Sequence, residues 1–113
     1  MKRESSPNYL NGVPELLVLR LLKEREMYGY ELVQAIRDAT GEAIVLGEGV
    51  IYPMLHLLER EGALQSRRQT VAGRSRIYYT LTPAGEKRLT QAATAWTRIH
   101  DAVTSVLGVS ARG

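Results

Sequence analysis

Cysteine is absent from the 113-residue sequence, and there are only two histidines, His56 and His100. Without cysteine there is no disulfide framework, no thiolate-bound metal and no thiol nucleophile. Neither histidine has a carboxylate at a spacing typical of a catalytic pair or a metal site. We therefore expect no enzymatic activity and no bound cofactor. The lack of cysteine is compatible with a reducing cytoplasm, which is the expected location.

Long hydrophobic runs are also missing. The most apolar stretch, residues 16–22, contains Arg20 and is far too short to span a bilayer. The first twelve residues, MKRESSPNYLNG, are polar and lack the apolar centre of a signal peptide. With 44% hydrophobic residues and a net charge of +3, the sequence predicts one folded domain without membrane association. The mild positive charge is a weak indication of a polyanionic partner.

Hydrophobic periodicity and turn residues predict a mainly α (α+β) fold in which three short helices precede a two-stranded ribbon and a long helix. Gly41 and Gly62 end the second and third helices, Gly73 makes the ribbon turn, and Thr82-Pro83 starts the last helix. The predicted helices are 12–25, 28–41, 48–62 and 83–107, the ribbon strands are 63–70 and 75–81, and 43–46 forms at most one small strand.

This order of elements is the layout of a winged helix-turn-helix, in which the third helix enters a DNA groove and the hairpin grips the backbone. We expect the winged-helix domain at residues 9–82 and a dimerisation helix at 83–107. Residues 1–8 and 108–113 are expected to be flexible tails.

The segment IVLGEGVIYP, residues 44–53, resembles the start of a phosphate-binding turn. A dinucleotide fingerprint needs a third glycine where Tyr52 stands, so a nucleotide site is not expected. Gly47 and Gly49 would still let backbone N–H groups reach an anion at the start of a helix, and in a winged helix that anion is a DNA phosphate. The alternative is a flexible linker before a buried helix.

The ribbon is the clearest electrostatic feature. No acidic residue lies between Leu64 and Gly85, although four arginines do. Arginine suits phosphate because its planar fork can donate two hydrogen bonds at once. The arginines predicted to contact DNA are Arg67, Arg68, Arg74 and Arg76. The alternative is a basic hairpin that is merely solvated.

The first turns of the second and third helices supply the other candidate DNA contacts. Tyr52 and His56 could reach the groove, and Tyr52 has the alternative role of a core aromatic under the wing. Glu48 repels phosphate but could accept from a cytosine amino group or cap the helix, whereas Val50 offers only apolar contact. The predicted set is Tyr30, Glu48, Gly49, Val50, Tyr52 and His56.

Three segments resemble the PadR family of transcriptional regulators: GYELVQAI, GVIYPMLHLLEREGAL and GRSRIYYTLTPAGEKRL. The resemblance covers residues 9–107, and the single C-terminal helix looks like the small-chain branch. It implies a homodimer that represses promoters and is released by a small effector, with Tyr52 as a DNA contact. Glu48 and Val50 depart from the family pattern, which more often has a small hydroxyl residue in place of Val50.

Apolar residues of the last helix recur at spacings of 3, 4, 3, 4 and 3, as in the seam of a coiled coil. One small domain cannot cover the whole length of such a helix, so the seam predicts a dimer. The alternative is that the last helix folds back onto the first helix of its own chain. The predicted interface residues are Leu89, Ala92, Trp96, Ile99, Val103 and Val106.

Trp96 is the only tryptophan and lies beside small residues, which predicts a gap near the dimer axis. By resemblance to a multidrug-sensing branch, paired tryptophans there would stack a planar small-molecule effector. That branch has an acid four residues after the tryptophan, where this chain has His100, with Asp101 next to it. The alternative is a dry seam in which Trp96 is simply the largest side chain.

Two other classes of function remain open at this point. A winged helix can bind protein in place of DNA, although the basic wing disfavours this. A small enzyme would require a polar constellation that the sequence does not show.

Overall fold

The computed structural model describes residues 12–108. Its three strands form one antiparallel sheet in the order β1-β3-β2. The element order is that of a winged helix-turn-helix with a long C-terminal helix, so the predicted fold class is confirmed. The elements are α1 Gly12–Glu24, β1 Met27–Tyr28, α2 Gly29–Ala39, α3 Glu48–Arg60, β2 Leu64–Val71, β3 Arg74–Leu81 and α4 Pro83–Leu107.

The short strand is in a different place from the one predicted. Residues 43–46 form no strand; the Ile44 N–H instead donates to the Thr40 hydroxyl oxygen at 3.1 Å, and that hydroxyl donates to the Ile36 carbonyl at 2.8 Å. The third strand of the sheet is β1, in which Met27 pairs with Tyr79 and Tyr28 with Tyr78. Two residues are too few for alternating hydrophobicity to be visible, so the sequence pattern did not reveal β1.

The hydrophobic core lies between the first three helices and the inner face of the sheet. On β3, Tyr79 is buried while Ile77 and Leu81 pack against the core from its edge, as the alternation predicted. The other face of β3 carries Arg76 and Tyr78. The fully buried core side chains are Val18, Leu19, Leu32, Ile36, Ile51, Leu55 and Leu58.

The two ribbon strands are joined by a tight turn. Both Ala72 and Gly73 have positive φ, 52° and 80°. Such a two-residue turn suits the right-handed twist of a hairpin. Arg74 follows this turn directly, at the tip of the wing.

The start of α4 is fixed to the end of α3. Thr82 is the N-cap, and its hydroxyl oxygen accepts from the Gly85 N–H at 3.0 Å while the hydroxyl donates to the Gly62 carbonyl at 2.6 Å. The Thr82 N–H donates to the Ala63 carbonyl at 3.1 Å. Gly85 is buried against that same carbonyl, where a Cβ would have no room.

Arg88 adds a charged connection at the same place. Its guanidinium donates to Glu15 of α1 at 2.7 and 3.2 Å and to Glu61, after α3, at 2.7 Å. These carboxylates raise the pKa of Arg88 further above its usual range. The base of α4 is therefore held to both α1 and the end of α3.

The predicted domain bounds and tails fall partly outside the described residues. Residues 1–11 and 109–113 lie beyond them. Gly108 ends α4 in the left-handed conformation, with φ of 77°. No helix within residues 12–108 is both long enough and apolar enough to cross a membrane.

Candidate nucleic-acid interface

A groove of about 600 Å³ lies between the start of α2, the exposed side of α3 and the tip of β3. It brings together half of the predicted DNA contacts, from three segments that are distant in sequence. Its lining contains two arginines and no acidic residue. The lining residues are Tyr28, Gly29, Tyr30, Tyr52, His56, Arg74, Ser75, Arg76, Ile77 and Tyr79.

The first turn of α3 presents an open backbone. Gly47 is the N-cap, and its carbonyl accepts from the N–H groups of Val50 and Ile51 at 3.0 and 3.1 Å. The amides of Glu48 and Gly49 precede these and have no acceptor within the helix. A Cβ at Gly47 or Gly49 would meet nothing within 4 Å. The turn can therefore approach a phosphate closely.

The side chains of this turn are exposed beside the groove. Glu48 lies in the first turn, where its charge suits the helix dipole, and Val50 is 45% exposed. The N-cap, Gly47, has no side chain with which to cap the helix. A phosphate that reached the free amides would thus have the Glu48 carboxylate nearby.

Tyr52 packs against the core, which is one of the two roles considered for it, and its contact with DNA stays a prediction. Its ring lies against Gly29, where a Cβ would come within 2.8 Å of the Tyr52 hydroxyl, and the side chain packs on the edge of the core. Burial raises the pKa of the Tyr52 phenol, with a smaller contribution from Glu48. The same side chain lines the groove together with His56.

The four wing arginines divide into two pairs. Arg74 and Arg76 line the groove. Arg67 instead forms an ion pair with Glu26, with Nε donating at 3.0 Å, and this hydrogen bond lowers the pKa of Glu26. Arg68 donates to the Ser75 hydroxyl at 2.9 Å.

The groove lining thus includes two of the four arginines, and the DNA contacts of Arg67 and Arg68 stay predictions. Arg67 and Arg68 are exposed but do not line the groove, and the charge of Arg67 is largely compensated. Successive residues of a strand point to opposite faces, which separates these two side chains from each other.

Tyr28 was not among the predicted site residues, yet it lines the groove. The Arg76 guanidinium lies over its ring, 4.5 Å from the centroid. The only sequence signal is the pair of tyrosines around Gly29, and the alternation pattern could not distinguish their orientations.

The predicted dimer seam along α4 is also divided. Leu89 is only 7% exposed because it packs into the core of its own chain, so the structure corrects its assignment to an intermolecular seam. Ala92, Trp96 and Ile99 line a largely apolar hollow of about 450 Å³ beside the start of α1, and Arg98 lines it as well. Val106, near the end of the helix, is 87% exposed.

Trp96 lies beside polar groups as well as the hollow. Its ring centroid is 6.1 Å from that of His100, and the rings are tilted by 47°. His100 Nδ1 lies 3.4 Å from the Asp101 carboxylate. Across residues 12–108, no group of three or more histidine or acidic side chains could hold a metal ion.

The fold is that of a winged-helix protein, and its groove carries two arginines and no acidic lining residue. The chain belongs to the PadR-like family of transcriptional regulators, whose family model matches residues 18–91. The members of this family are DNA-binding regulators of transcription and not enzymes. The chain is accordingly a DNA-binding transcriptional regulator.

Individual relatives agree with this placement. The transcriptional regulator Rv3488 of Mycobacterium tuberculosis is 36% identical over 76 residues, which are 67% of this chain and 68% of the relative. A transcriptional regulator from Clostridium thermocellum has a TM-score of 0.79 at 29% identity, covering 88% of this chain and 97% of its own. A PadR family regulator from Eggerthella lenta has a TM-score of 0.76 at 30% identity, covering 88% and 86%.

Proposed function

We propose that the chain is a homodimeric repressor, released by a small effector, that reads a pseudo-palindromic operator with α3 and the wing. The observation that carries the DNA-reading part is the groove, in which side chains from α2, α3 and β3 converge without an acidic lining residue. The cytoplasm is the location that suits this function.

Within and beside the groove we assign affinity and specificity to different residues. Arg74 and Arg76 contact phosphates, because guanidinium groups at a hairpin follow the backbone of the duplex. Val50, Tyr52 and His56 project from α3 and contribute more of the sequence preference, with Val50 suited to a thymine methyl group. Tyr30, which is 48% exposed at the start of α2, meets the backbone across the groove.

Footprinting on the promoter of its own gene tests the operator. A two-fold dimer should protect a pseudo-palindrome with half-sites roughly 10 bp apart, or a multiple of the helical turn. Protection of a single asymmetric half-site would contradict the dimeric arrangement. The absence of protection on any promoter fragment would favour a protein partner for the groove.

The assignment of Arg74 is tested by the salt dependence of binding. Arg74→Ala should weaken binding to all sequences alike and lower the salt slope by about 1 for each protomer bound. Arg20→Ala is a matched control, because Arg20 is paired with Glu24 on α1 and does not line the groove. If Arg74→Ala altered sequence preference and left the slope unchanged, Arg74 would be a base contact.

The dimer interface is proposed along the far half of α4. Trp96, Val103 and Val106 are 39%, 50% and 87% exposed, so an apolar stripe continues beyond the domain that covers the start of the helix. Ile99→Lys would place an unpaired charge within this stripe, and such a charge is strongly unfavourable when buried. We expect sedimentation to show a monomer. If Ile99→Lys still sediments as a dimer with unchanged affinity between the protomers, the interface lies elsewhere.

The effector is proposed to be a planar molecule that contacts Trp96. Indole faces attract planar aromatic rings and cations, and the hollow beside Trp96 is largely apolar, with Arg98 also in its lining. Planar dyes should quench the fluorescence of Trp96, and Trp96→Ala should bind these dyes more weakly. If no dye quenches the fluorescence at micromolar concentration, Trp96 is a packing residue of a dry seam and the proposed effector contact is wrong. This chain has His100 where the multidrug-sensing branch has an acid, and Asp101 is one residue further on. The resemblance therefore does not predict a preference for cationic ligands, and the same titration measures it.

A further inference from the structure

Four side chains form a continuous stack on the outer face of the sheet. The Arg67 guanidinium lies 5.1 Å from the centroid of the Tyr78 ring. Tyr78 meets Tyr28 edge to face, with centroids 5.4 Å apart and planes at 71°. The Arg76 guanidinium then lies 4.5 Å from the Tyr28 centroid. Each neighbour in the stack is a favourable cation–π or aromatic pair.

One end of this stack is held by the body of the protein. Glu26 binds Arg67 through the ion pair described above. Antiparallel pairing places Tyr28 directly opposite Tyr78, and the backbone N–H of Tyr28 donates to the Glu31 carboxylate at 3.2 Å. The ring of Tyr28 is therefore held by its contact with Tyr78, and the backbone of Tyr28 is held by the hydrogen bond to Glu31.

The other end of the stack borders the groove. Arg76 lines the groove and is half-buried. Within residues 12–108 its guanidinium forms no ion pair, so no carboxylate competes with an incoming phosphate. Tyr28 is the one aromatic ring of the described chain that lies within cation–π distance of Arg76.

We propose that Tyr28 is a positioning residue for DNA binding, because its ring holds the Arg76 guanidinium oriented at the edge of the groove before DNA arrives. An arginine side chain that is free in solution loses rotamer freedom when it binds phosphate, and this loss weakens binding roughly two- to tenfold for one such side chain. A planar guanidinium already stacked on a ring loses less. The inference rests on the proposed contact of Arg76 with DNA.

A double-mutant cycle on operator DNA tests this coupling. Arg76→Ala should lower both the affinity and the salt slope, the slope by about 1 for each protomer bound. Tyr28→Leu should weaken binding roughly two- to tenfold with the salt slope unchanged, because the charge remains while its orientation is lost. In the Arg76→Ala background, Tyr28→Leu should cause no further loss.

The outcomes separate the inference from the proposed function. If Arg76→Ala changes neither affinity nor slope, the proposed phosphate contact of Arg76 fails, and the role of Tyr28 fails with it. If Arg76→Ala acts as expected but Tyr28→Leu weakens binding equally in both backgrounds, only the positioning role is refuted. A merely structural role for Tyr28 would give this second result, since damage to the fold does not depend on Arg76.

Two further variants keep the test decisive if Tyr28→Leu does not fold. Tyr28→Phe keeps the ring face and should retain the coupling to Arg76. Arg76→Lys keeps the charge but lacks the planar group, so it should preserve the salt slope while weakening binding roughly two- to tenfold. Wild-type affinity for Arg76→Lys would overturn the inference.

Discussion

Replacing Gly49 with alanine should separate the stability of the free protein from its affinity for DNA. Gly49 lies in the first turn of α3, and the added Cβ would meet nothing within 4 Å. Glycine in a helix is less stable than alanine by about 0.5–1 kcal/mol. Gly49→Ala should therefore raise the free energy of unfolding by that amount, and the melting temperature by roughly 2–8 °C.

The same methyl group should weaken DNA binding. It projects from a turn whose first amides have no acceptor within the helix, which is where a phosphate would approach. Loss of one hydrogen bond to a charged group costs about 1.5–3 kcal/mol, or roughly tenfold or more in affinity for each protomer bound. Urea unfolding of the free protein and anisotropy of a labelled operator at constant salt measure the two quantities independently.

Gly85→Ala is the matched control, because the same substitution should there have the opposite effect on stability. Its Cβ would collide with the Ala63 carbonyl and lie 2.7 Å from the Leu81 side chain. Overpacking of this kind costs about 1–3 kcal/mol. If Gly49→Ala also destabilised the free protein, or bound DNA as well as the wild type, the open-backbone reasoning for α3 would be refuted.

Two further substitutions test the charged contacts that hold the elements together. Arg88→Met keeps an apolar stem but removes the links to Glu15 and Glu61, so urea unfolding should show a loss of about 1 kcal/mol that diminishes at high salt. Glu26→Gln should destabilise the protein by its full amount above about pH 4.5, the ordinary pKa of the carboxyl, and by progressively less below it, because Arg67 lowers that pKa in the folded state. The wild type loses this stabilisation as the pH falls through the lowered pKa, so acid titrations of the two proteins should converge, and a constant difference would contradict the assignment.

Much of the fold could be predicted because the relevant signals are local. Thr82 followed by Pro83 indicates a helix start on its own, and the observed bounds of α4 agree with those predicted. The alternation along β3 indicated which face enters the core, since the period of a strand is short enough to be visible in eight residues.

Contacts between distant segments could not be predicted in the same way. Arg67 and Glu26 are separated by 41 positions, and no local pattern indicates that they form an ion pair. The four wing arginines therefore looked equivalent in the sequence. Only the pairing of β1 with β3, which brings the start of α2 beside the wing, separates the arginines of the groove from those that stabilise the sheet.

The long helix shows why a periodic pattern alone cannot identify a dimer interface. Hydrophobic spacing records which face of a helix is buried, but not whether the same chain or another chain covers it. Leu89 is covered by its own domain, whereas Val103 and Val106, on the same stripe, are exposed. The regular hydrophobic spacing thus continues from the buried part of α4 into its exposed part. Only the exposed half supports the proposed homodimer, and Ile99 lies close to the point where the cover ends.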